Sequence, residues 1–469
     1  MGDPLWLPGI GENARHASRI YKGFTMNSLT VIGGGLAGCE ASWQAAERGI
    51  KVRLFEMRPE QMTPAHRTGK LAELVCSNSL RSDSLDTASG LLKEELRRMN
   101  SIIMTCADNS RVDAGSALAV DREVFASLVE KAAEGHKNIT VERKELHDIP
   151  DGVVIIATGP LTSPSMTEAI KKLLGEDHLY FYDAVAPIIA GESIDSEKVF
   201  RASRYDTSEG DYLNCPMTET EYKRFYMALM EAEKMPLHAF EEEKYFEGCL
   251  PVEEIGRRGE DSLRFGPLKP VGLVNPKKPD EEPFAVLQLR AENKEMTMYN
   301  MVGFQTRLKW EEQKRVFQLI PGLEKAEFYR FGVMHRNTFI NGPCHLNDTW
   351  SLKMDRRILF AGQITGVEGY LESCSSGLMA GINGAFMLMG KDPLVFPRDS
   401  ALGSLAHHIS QGESKNFQPM KMNFGLFRPL ESEKKIKKKI RRALMVERAL
   451  AEIERFKREV ESETVSSDQ

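Results

Sequence analysis

Residues 29–56 read LTVIGGGLAGCEASWQAAERGIKVRLFE and contain, in order, an apolar run, a glycine turn, a helical segment, a second apolar run and an acid. Gly33, Gly35 and Gly38 have the G-x-G-x-x-G spacing of dinucleotide-binding turns. Glu56 follows Gly38 by 18 residues, where such sites place the acid that binds a ribose. The stretch therefore predicts a strand–helix–strand unit that binds an ADP-containing dinucleotide. The alternative is a glycine turn that serves only the close packing of a helix against a strand.

The expected contacts of this unit follow from what glycine and a helix N-terminus offer to a phosphate. Glycine lets the backbone approach a pyrophosphate closely, and the helix N-terminus supplies N–H donors and positive potential. We therefore expect cofactor contacts along the turn and at the end of the second strand. The turn contributes Gly33, Gly34, Gly35, Leu36, Ala37 and Gly38, and the strand end contributes Glu56 and Arg58.

Two later segments repeat the combination of a short apolar strand and a glycine turn. The run VVII precedes Thr158 and Gly159, and the run RILFA precedes Gly362 and Gln363. Residues 376–385, rich in small side chains, predict a helix after the second of these turns. This order is typical of FAD domains, so we expect the four turn residues to contact FAD.

The second and third strand-and-turn segments of this pattern are some 200 residues apart in the chain, which predicts a discontinuous domain. The residues between them include alternating apolar stretches at 284–289 and 299–304, typical of antiparallel strands. The predicted fold class is α/β, a Rossmann-like FAD-binding domain with an inserted α+β domain and a C-terminal basic helix. The predicted boundaries are an extension at 1–25, the FAD-binding domain at 26–185 and 333–428, the insert at 186–332, the basic helix at 429–461 and a disordered tail at 462–469. We expect the extension to be a tag, a misplaced start or a disordered arm.

Composition excludes several classes of protein. The chain is 41% hydrophobic and 28% charged with a net charge of −6, so any site for a polyanion must be a local patch. The seven cysteines are scattered without a C-x-x-C pair, which indicates reduced thiols in a cytoplasmic protein and predicts no metal site. No run of 18 apolar residues is present, so no membrane span is expected.

Residues 434–442 form a local basic patch, in which seven of nine side chains are positive. The apolar positions Ile436, Ile440, Leu444, Leu450 and Ile453 have a mostly helical spacing, which predicts an amphipathic basic helix. Such a face is often only solvated, and the functional alternative is contact with the phosphates of a nucleic acid. A membrane-surface helix fits less well because no bulky aromatic side chain lines its apolar face. The candidate RNA contacts are Lys434, Lys437, Lys438 and Arg441.

Two cysteines are candidates for chemistry, although a cysteine is most often an inert small hydrophobe. Cys76 lies downstream of the second strand, from where its segment could reach back over a bound cofactor. Cys249 lies between Gly248 and Pro251, which favours a fixed, non-helical presentation of the thiol. Nearby arginines could lower the pKa of Cys249 and nearby glutamates oppose them, so the local charge is undecided.

Several segments together resemble the folate- and FAD-dependent tRNA uracil-5-methyltransferases, commonly called the TrmFO family. The resemblance runs from about Met26 to at least Pro429, and no motif position departs from it. Its most particular segments surround Cys76, Cys249 and His335. The segments that carry it are VIGGGLAGCEA (31–41), FEMRP (55–59), LVCSNSLR (74–81), FEGCLPVE (246–253), MHRNTFIN (334–341) and FAGQITGVEGY (360–370). The related MnmG/GidA flavoproteins share the last segment but are longer and lack the Gly-Cys-Leu-Pro segment.

The resemblance implies an activity, its cofactors and the roles of several residues. It implies methylation of the T-loop uridine of tRNA at C5, with methylenetetrahydrofolate as carbon donor, FAD, and NADH or NADPH as reductant. By resemblance Cys249 is the nucleophile that adds to uracil C6, and Cys76 is the general base that removes the C5 proton. His335 and Arg336 could line the pocket for the base, although a structural histidine is at least as common.

Three alternatives to this activity remain open. The target could be a ribosomal-RNA uridine, since family members can share motifs and differ in RNA. The protein could instead be a small-molecule FAD oxidoreductase, in which the basic helix and both cysteines are incidental. It could also be an RNA-binding flavoprotein without catalysis, in which FAD is structural.

Overall fold

The structure is a computed structural model that describes residues 28–175, 179–205, 210–235, 250–292, 296–412, 414, 417, 419–431 and 436–465. Within these ranges, the side chains of residues 179–185, 333–337, 438 and 465 lie outside the description.

The strands are named in chain order. They are β1 (Ser28–Ile32), β2 (Lys51–Glu56), β3 (Ser79–Ser82), β4 (Arg111–Val112), β5 (Ala117–Val120), β6 (Ile139–Arg143), β7 (Val154–Ile156), β8 (Leu179–Val185), β9 (Ile188–Ala190), β10 (Phe200–Arg201), β11 (Tyr212–Met217), β12 (Ala285–Ala291), β13 (Met298–Met301), β14 (Phe328–Arg330), β15 (Val333–Phe339) and β16 (Ile358–Phe360).

The helices are named in the same way. They are α1 (Leu36–Glu47), α2 (Ala88–Arg98), α3 (Ile102–Asn109), α4 (Arg122–Gly135), α5 (Pro164–Leu174), α6 (Glu219–Glu231), α7 (Val252–Arg257), α8 (Ser262–Phe265), α9 (Trp310–Phe317), α10 (Gly342–His345), α11 (Tyr370–Leu388), α12 (Ala401–Gln411) and α13 (Lys438–Val465).

A five-stranded parallel sheet in the order β16–β7–β1–β2–β6 positions the candidate site. Val31 of β1 lies beside Leu54 of β2 on one side and Ile155 of β7 on the other. All three side chains are fully buried, because helices cover both faces of a parallel sheet and each strand is a continuous apolar run. The predicted strand–helix–strand unit is thus confirmed as β1, α1 and β2.

Strand β16 belongs to this sheet, although the residues between β7 and β16 include the strands of a second sheet. That second sheet is antiparallel, with the order β10–β11–β12–β13–β9–β14. The two stretches predicted as antiparallel strands are β12 and β13, which pair with Leu289 beside Met301. The predicted α/β fold, with a parallel sheet interrupted by an α+β segment, is therefore confirmed.

The helix that follows β16 packs directly against the helix of the glycine turn. Helix α11 contains the predicted small-residue segment at 376–385 and approaches α1 through Gly377 and Gly381. A β-carbon on Gly377 would lie 2.2 Å from the backbone oxygen of Ala37, so larger side chains would separate the helices. The small residues therefore hold the end of β16 close to the turn that follows β1.

The C-terminal helix differs from its prediction at both ends and on its apolar face. Helix α13 begins at Lys438 rather than near residue 429, and it continues through Ser462–Val465, which were predicted to be disordered. No glycine or proline interrupts this end, and Val460 is 1% exposed in the core. Of the predicted apolar positions, Ile440 and Leu444 are exposed, whereas Ile453 is buried and Leu450 is partly buried against the core. The buried stripe also contains Met445, Val446, Ala449, Phe456 and Val460.

No helix among the described residues has both the length and the hydropathy that crossing a bilayer requires.

Candidate functional site

A cavity opens at the carboxyl ends of β1, β2 and β7 and beside the turn after β16. With the solvent-open space at its mouth, its volume is about 1030 Å³, which is large enough for a dinucleotide. Ligands of open parallel sheets bind at this edge, where successive strands turn to opposite sides. The predicted contacts that line the cavity are Gly33, Gly35, Leu36, Ala37, Glu56, Arg58, Thr158, Gly159, Gly362 and Gln363.

The three glycines of the first turn meet three different requirements. Gly33 has a φ of +106°, a left-handed conformation that side chains disfavour. Gly35 lines the cavity, and a β-carbon on it would meet no atom within 4 Å, so its backbone is open to a ligand. A β-carbon on Gly38 would lie 1.8 Å from the backbone oxygen of Gly33, so only glycine allows α1 to begin this close. These features fit a pyrophosphate at the start of α1.

The predicted ribose-binding acid is held in place by the protein itself. Glu56 Oε2 accepts a hydrogen bond from Gly34 N (2.8 Å), and Oε1 accepts from Arg58 N (3.0 Å) and Arg58 Nε (2.9 Å). Burial opposes ionisation of Glu56, but the bonds from Arg58 and Gly34 outweigh it and lower the pKa of the carboxyl. Arg58 Nη2 also donates to Glu56 Oε2 (3.0 Å), so four donors fill the carboxylate. Glu56 is therefore a fixed carboxylate beside the glycine turn, and a ribose hydroxyl would have to replace one of these donors. Arg58 is 2% exposed and acts mainly by holding Glu56.

The two later glycine turns reach the same cavity from neighbouring strands. Gly159 has a φ of +69°, and a β-carbon on it would meet open space. Gly362 has a φ of +84°, and its N–H donates to Ser376 Oγ (2.7 Å) in α11. The turn after β16 is thereby attached to the helix that packs on α1. The structure thus brings together three glycine turns that are far apart in the chain.

Cys76 lies beside this cavity and is bonded to Tyr370, the first residue of α11. Tyr370 lines the cavity, and its hydroxyl oxygen lies 3.0 Å from Cys76 Sγ. The same oxygen accepts hydrogen bonds from Cys76 N (2.9 Å) and Ser77 N (3.2 Å). Burial raises the pKa of Tyr370 well above that of a free tyrosine, so the phenol stays protonated. The hydroxyl therefore fixes the thiol beside a residue that lines the cavity.

The other described cysteines differ from Cys76 in their surroundings. Burial raises the pKa of Cys106 to about 12, and it raises the pKa values of Cys39, Cys215 and Cys374 further. These thiols are inert at neutral pH, whereas Cys76 is partly exposed. Cys344 is exposed. In the described part of the chain, no three His, Cys, Asp or Glu side chains converge as metal ligands would.

Some predicted site residues cannot be placed. Cys249 and Lys434 lie outside the described residues. His335 and Arg336 lie on β15, opposite residues 183 and 182 of β8, but their side chains are not described. Lys437 and Arg441 are exposed near the start of α13, and Lys438 is the first residue of that helix.

Both flanks of the segment that contains Cys249 attach to one short stretch. Met235 N donates to Arg307 O (2.9 Å), and Val252 N donates to Gln305 O (2.7 Å). Glu253, just beyond, accepts from Thr306 Oγ1 and from Arg307 N (both 2.8 Å). The entry and exit of residues 236–249 are thus fixed next to each other in the α+β segment.

Four residues that surround Cys76 were not predicted from the sequence. Tyr370 belongs to the quoted segment FAGQITGVEGY, yet nothing in its local sequence indicates a bond to a cysteine 294 positions away. Arg122, Arg290 and Arg330 lie in different elements, and each donates a hydrogen bond to the segment at 74–78. An arginine in a buried strand, as at Arg290, is the one local feature that could have indicated a site.

Comparison with known proteins gives matches over most of the chain. A family model described as glucose inhibited division protein A matches residues 28–392. The methylenetetrahydrofolate--tRNA-(uracil-5-)-methyltransferase TrmFO of Geobacter sulfurreducens is 58% identical over 431 residues, which are 92% of this chain and 98% of that protein. The protein of the same name from Pelotomaculum thermopropionicum is 58% identical over 434 residues, which are 92% of this chain and 99% of that protein.

A solved structure is similar in fold. Aquifex aeolicus GidA, in its form II crystal, matches with a TM-score of 0.67 at 17% identity, covering 94% of this chain and 75% of that chain.

Proposed function

The chain belongs to the TrmFO family of methylenetetrahydrofolate--tRNA-(uracil-5-)-methyltransferases, within the wider family described as glucose inhibited division protein A, and on this premise we propose that it methylates a tRNA uridine at C5. The proposed carbon donor is methylenetetrahydrofolate, the proposed reductant is NADH or NADPH, and the proposed target is the T-loop uridine. Free tRNA, folate and reduced thiols occur together in the cytoplasm, which is where we propose that the enzyme acts.

One observation supports this proposal most directly. The three glycine turns line a single cavity, and Cys76 is fixed at its edge by Tyr370. The residues that would hold FAD are those of the first turn, Glu56, and the turns at 158–159 and 362–363. Bound FAD would supply the reducing electrons that convert the transferred carbon into a methyl group.

The chemistry of uracil requires a thiolate from the protein. Uracil C5 is a poor nucleophile until a thiolate adds to C6 and gives C5 enolate character. We assign this addition to Cys249, whose flanks are held beside residues 305–307. Cys76 would then accept the proton that C5 loses after the new carbon–carbon bond has formed.

The uridine must leave the tRNA stack to reach these thiols, which requires a pocket and a surface for the RNA backbone. We propose that His335 and Arg336 on β15 line the pocket. The basic residues at the start of α13 would contact phosphates, namely the exposed Lys437 and Arg441 together with Lys438.

A labelling experiment tests this function. The full chain loaded with FAD is incubated with NADPH or NADH, radiolabelled methylenetetrahydrofolate and an unmodified tRNA transcript. We expect labelled 5-methyluridine, which should be absent when the target uridine of the transcript is replaced by cytidine.

The outcomes separate the proposal from its alternatives. Absence of label from tRNA would contradict the proposed function. If a ribosomal-RNA transcript were labelled instead, the target would be a ribosomal-RNA uridine. Rapid NADPH turnover with a small acceptor that Cys249→Ala does not affect would favour an oxidoreductase.

A further inference from the structure

Three arginines hold the segment that carries Cys76, and each bonds to a different residue of it. Arg122 Nη1 donates to Leu74 O (2.8 Å), and Arg330 Nη2 donates to Val75 O. Arg290 Nη2 donates to Ser77 Oγ (2.8 Å), and its Nε donates to Asn78 Oδ1 (2.9 Å). Arg122 begins α4, whereas Arg290 and Arg330 belong to the antiparallel sheet. The thiol is therefore held between the two sheets by cationic side chains.

The three arginines differ in whether a nearby carboxylate balances their positive charge. Arg122 pairs with Glu292, whose Oε2 lies 2.5 Å from its Nε. Arg290 also experiences the field of Glu292, although burial lowers its pKa. Arg330 is 8% exposed, and no carboxylate among the described residues forms an ion pair with it. A buried charge without a partner is costly, so the environment of Arg330 calls for an anion.

One group that acts on Arg330 is a candidate for this anion. The charged and titratable groups that act most strongly on Arg330 are Arg122, Arg67, Tyr370 and Cys76. Burial lowers the pKa of Arg330 to about 10, so its guanidinium is still charged at neutral pH. The two other arginines are cations, and burial keeps Tyr370 neutral. Cys76 is the remaining acidic group of this set, and a thiol loses its proton more readily than a phenol.

Tyr370 contributes to the same balance. Its hydroxyl oxygen accepts two backbone N–H bonds, so its own hydrogen is left to point toward Cys76 Sγ. A sulfur atom that accepts a hydrogen bond is favoured as a thiolate. The phenol and Arg330 thus act on the thiol in the same direction, whereas Glu292 partly balances the charges of Arg122 and Arg290.

We propose that Arg330, supported by Arg122 and Arg290, is a positioning residue that keeps Cys76 as a thiolate, ready to accept a proton from the substrate. In the reaction, the C5–H bond of the uracil adduct breaks and a new S–H bond forms on Cys76. The electron pair of the broken bond enters the ring as an enolate on the C4 carbonyl. The nature of the proton donor rests on the proposed function, whereas the ionisation of the thiol is a property of this chain alone.

The experiment measures that ionisation without RNA or folate. The FAD-loaded full chain is treated with iodoacetamide between about pH 5 and pH 10, and alkylation of the Cys76 peptide is quantified by mass spectrometry. The midpoint is the pH at which the alkylation rate of Cys76 is half its maximum. We expect the midpoint of wild type to lie about one pH unit or more below the value of about 8.5 for an ordinary cysteine. In Arg330→Gln the midpoint should rise by about one unit, a tenfold loss of thiolate at neutral pH.

Two further variants complete the test. Arg330→Lys keeps the charge and should retain most of the shift. Arg315→Gln changes a half-exposed arginine of α9 that pairs with Glu312 and should leave the midpoint unchanged. Equal midpoints in wild type and Arg330→Gln would overturn the inference. A wild-type midpoint at or above about 8.5 would also overturn it, even if the Gln variant failed to fold.

The outcome is independent of the methylation assay. A lowered midpoint without 5-methyluridine formation would contradict the proposed function but would support the inference that Cys76 is a thiolate. Formation of 5-methyluridine with an ordinary midpoint would support the proposed function and contradict that inference.

Discussion

The hydroxyl oxygen of Tyr370 lies 3.0 Å from the sulfur of Cys76, across 294 positions of the chain. Tyr370 is the first residue of α11, which packs on α1 and receives the turn after β16 through Ser376. Because the same oxygen also accepts the backbone N–H groups of Cys76 and Ser77, the thiol segment is tied to a rigid helix. The position of the thiol relative to the cavity is therefore set by the parallel sheet and its helices.

Tyr370→Phe should destabilise the protein because it removes the acceptor of two backbone N–H groups at once. We expect the free energy of unfolding to fall by about 1–3 kcal/mol. Urea denaturation followed by circular dichroism measures this, with Tyr329→Phe as the control because Tyr329 is 51% exposed. Equal losses in the two variants would show that the bond to the thiol segment contributes nothing.

Gly38→Ala should abolish tight binding of FAD. Its β-carbon would lie 1.8 Å from the oxygen of Gly33, so the turn that faces the pyrophosphate must open. We expect at least a tenfold weaker affinity, or about 1.4 kcal/mol, measured by quenching of flavin fluorescence. Gly135→Ala is the matched control, since its β-carbon would meet no atom within 4 Å at the end of α4. Unchanged affinity in Gly38→Ala would contradict the assigned geometry.

The glycine turns could be predicted from sequence because their requirements are local. A left-handed φ at Gly33 and a close approach at Gly38 depend on a few neighbouring residues, and only glycine meets them. The short apolar runs that precede these turns indicate parallel strands, because such strands are buried on both faces and are apolar throughout. The order of the sheet then follows from the handedness of strand–helix–strand connections.

The surroundings of Cys76 could not be predicted, because they are assembled from distant parts of the chain. Tyr370, Arg290 and Arg330 each lie more than 200 positions from Cys76. The sequence around each of these three residues does not indicate contact with a cysteine so far away in the chain.

The predicted apolar face of the C-terminal helix was only partly right, for a different reason. Leu444, Met445 and Val446 are consecutive apolar residues, so periodicity alone allows more than one stripe. Packing against the neighbouring helices buries Met445 and Val446 and leaves Leu444 exposed.

Glu95 should make the stability of the fold depend on pH. It is fully buried in α2 and accepts bonds from Ala401 N (2.7 Å) and Leu402 N (2.9 Å) at the start of α12. Burial raises its pKa from 4.5 to about 8, despite these bonds. A carboxyl group with a raised pKa stabilises the fold fully below its unfolded pKa, and this contribution is lost as pH rises to about 8.

The prediction is a decrease in the free energy of unfolding between about pH 5 and pH 8, part of which disappears in Glu95→Gln. Urea titrations at several pH values measure this slope. Glu94→Gln, on the same helix, loses only a partly exposed ion pair with Arg98 and should keep the slope. A slope in Glu95→Gln equal to that of wild type would contradict the assignment.

The start of α13 should carry part of the affinity for RNA. Lys437 and Arg441 are exposed, so replacing both with Glu should weaken tRNA binding without disturbing the core. Each lost phosphate contact should reduce the slope of log K against log salt by about 0.7–0.9. Arg458→Glu is the control because it is exposed on the same helix about 25 Å away, at 1.5 Å per residue. Equal salt slopes in the double variant and wild type would mean that this face is only solvated.

A trapping experiment with 5-fluorouridine RNA should distinguish the roles of Cys249 and Cys76. A thiolate adds to C6 of the fluorinated base, but fluorine at C5 cannot leave as a proton, so the adduct persists. Cys249→Ala should therefore abolish the covalent protein–RNA band on a denaturing gel. Cys76→Ala should retain the band, because Cys76 acts only after addition, at the atom that fluorine blocks. Cys344→Ala, which removes an exposed thiol, should behave as wild type. A band that is lost in Cys76→Ala and kept in Cys249→Ala would exchange the two roles, and the arginines around Cys76 would then stabilise the nucleophile instead of the base.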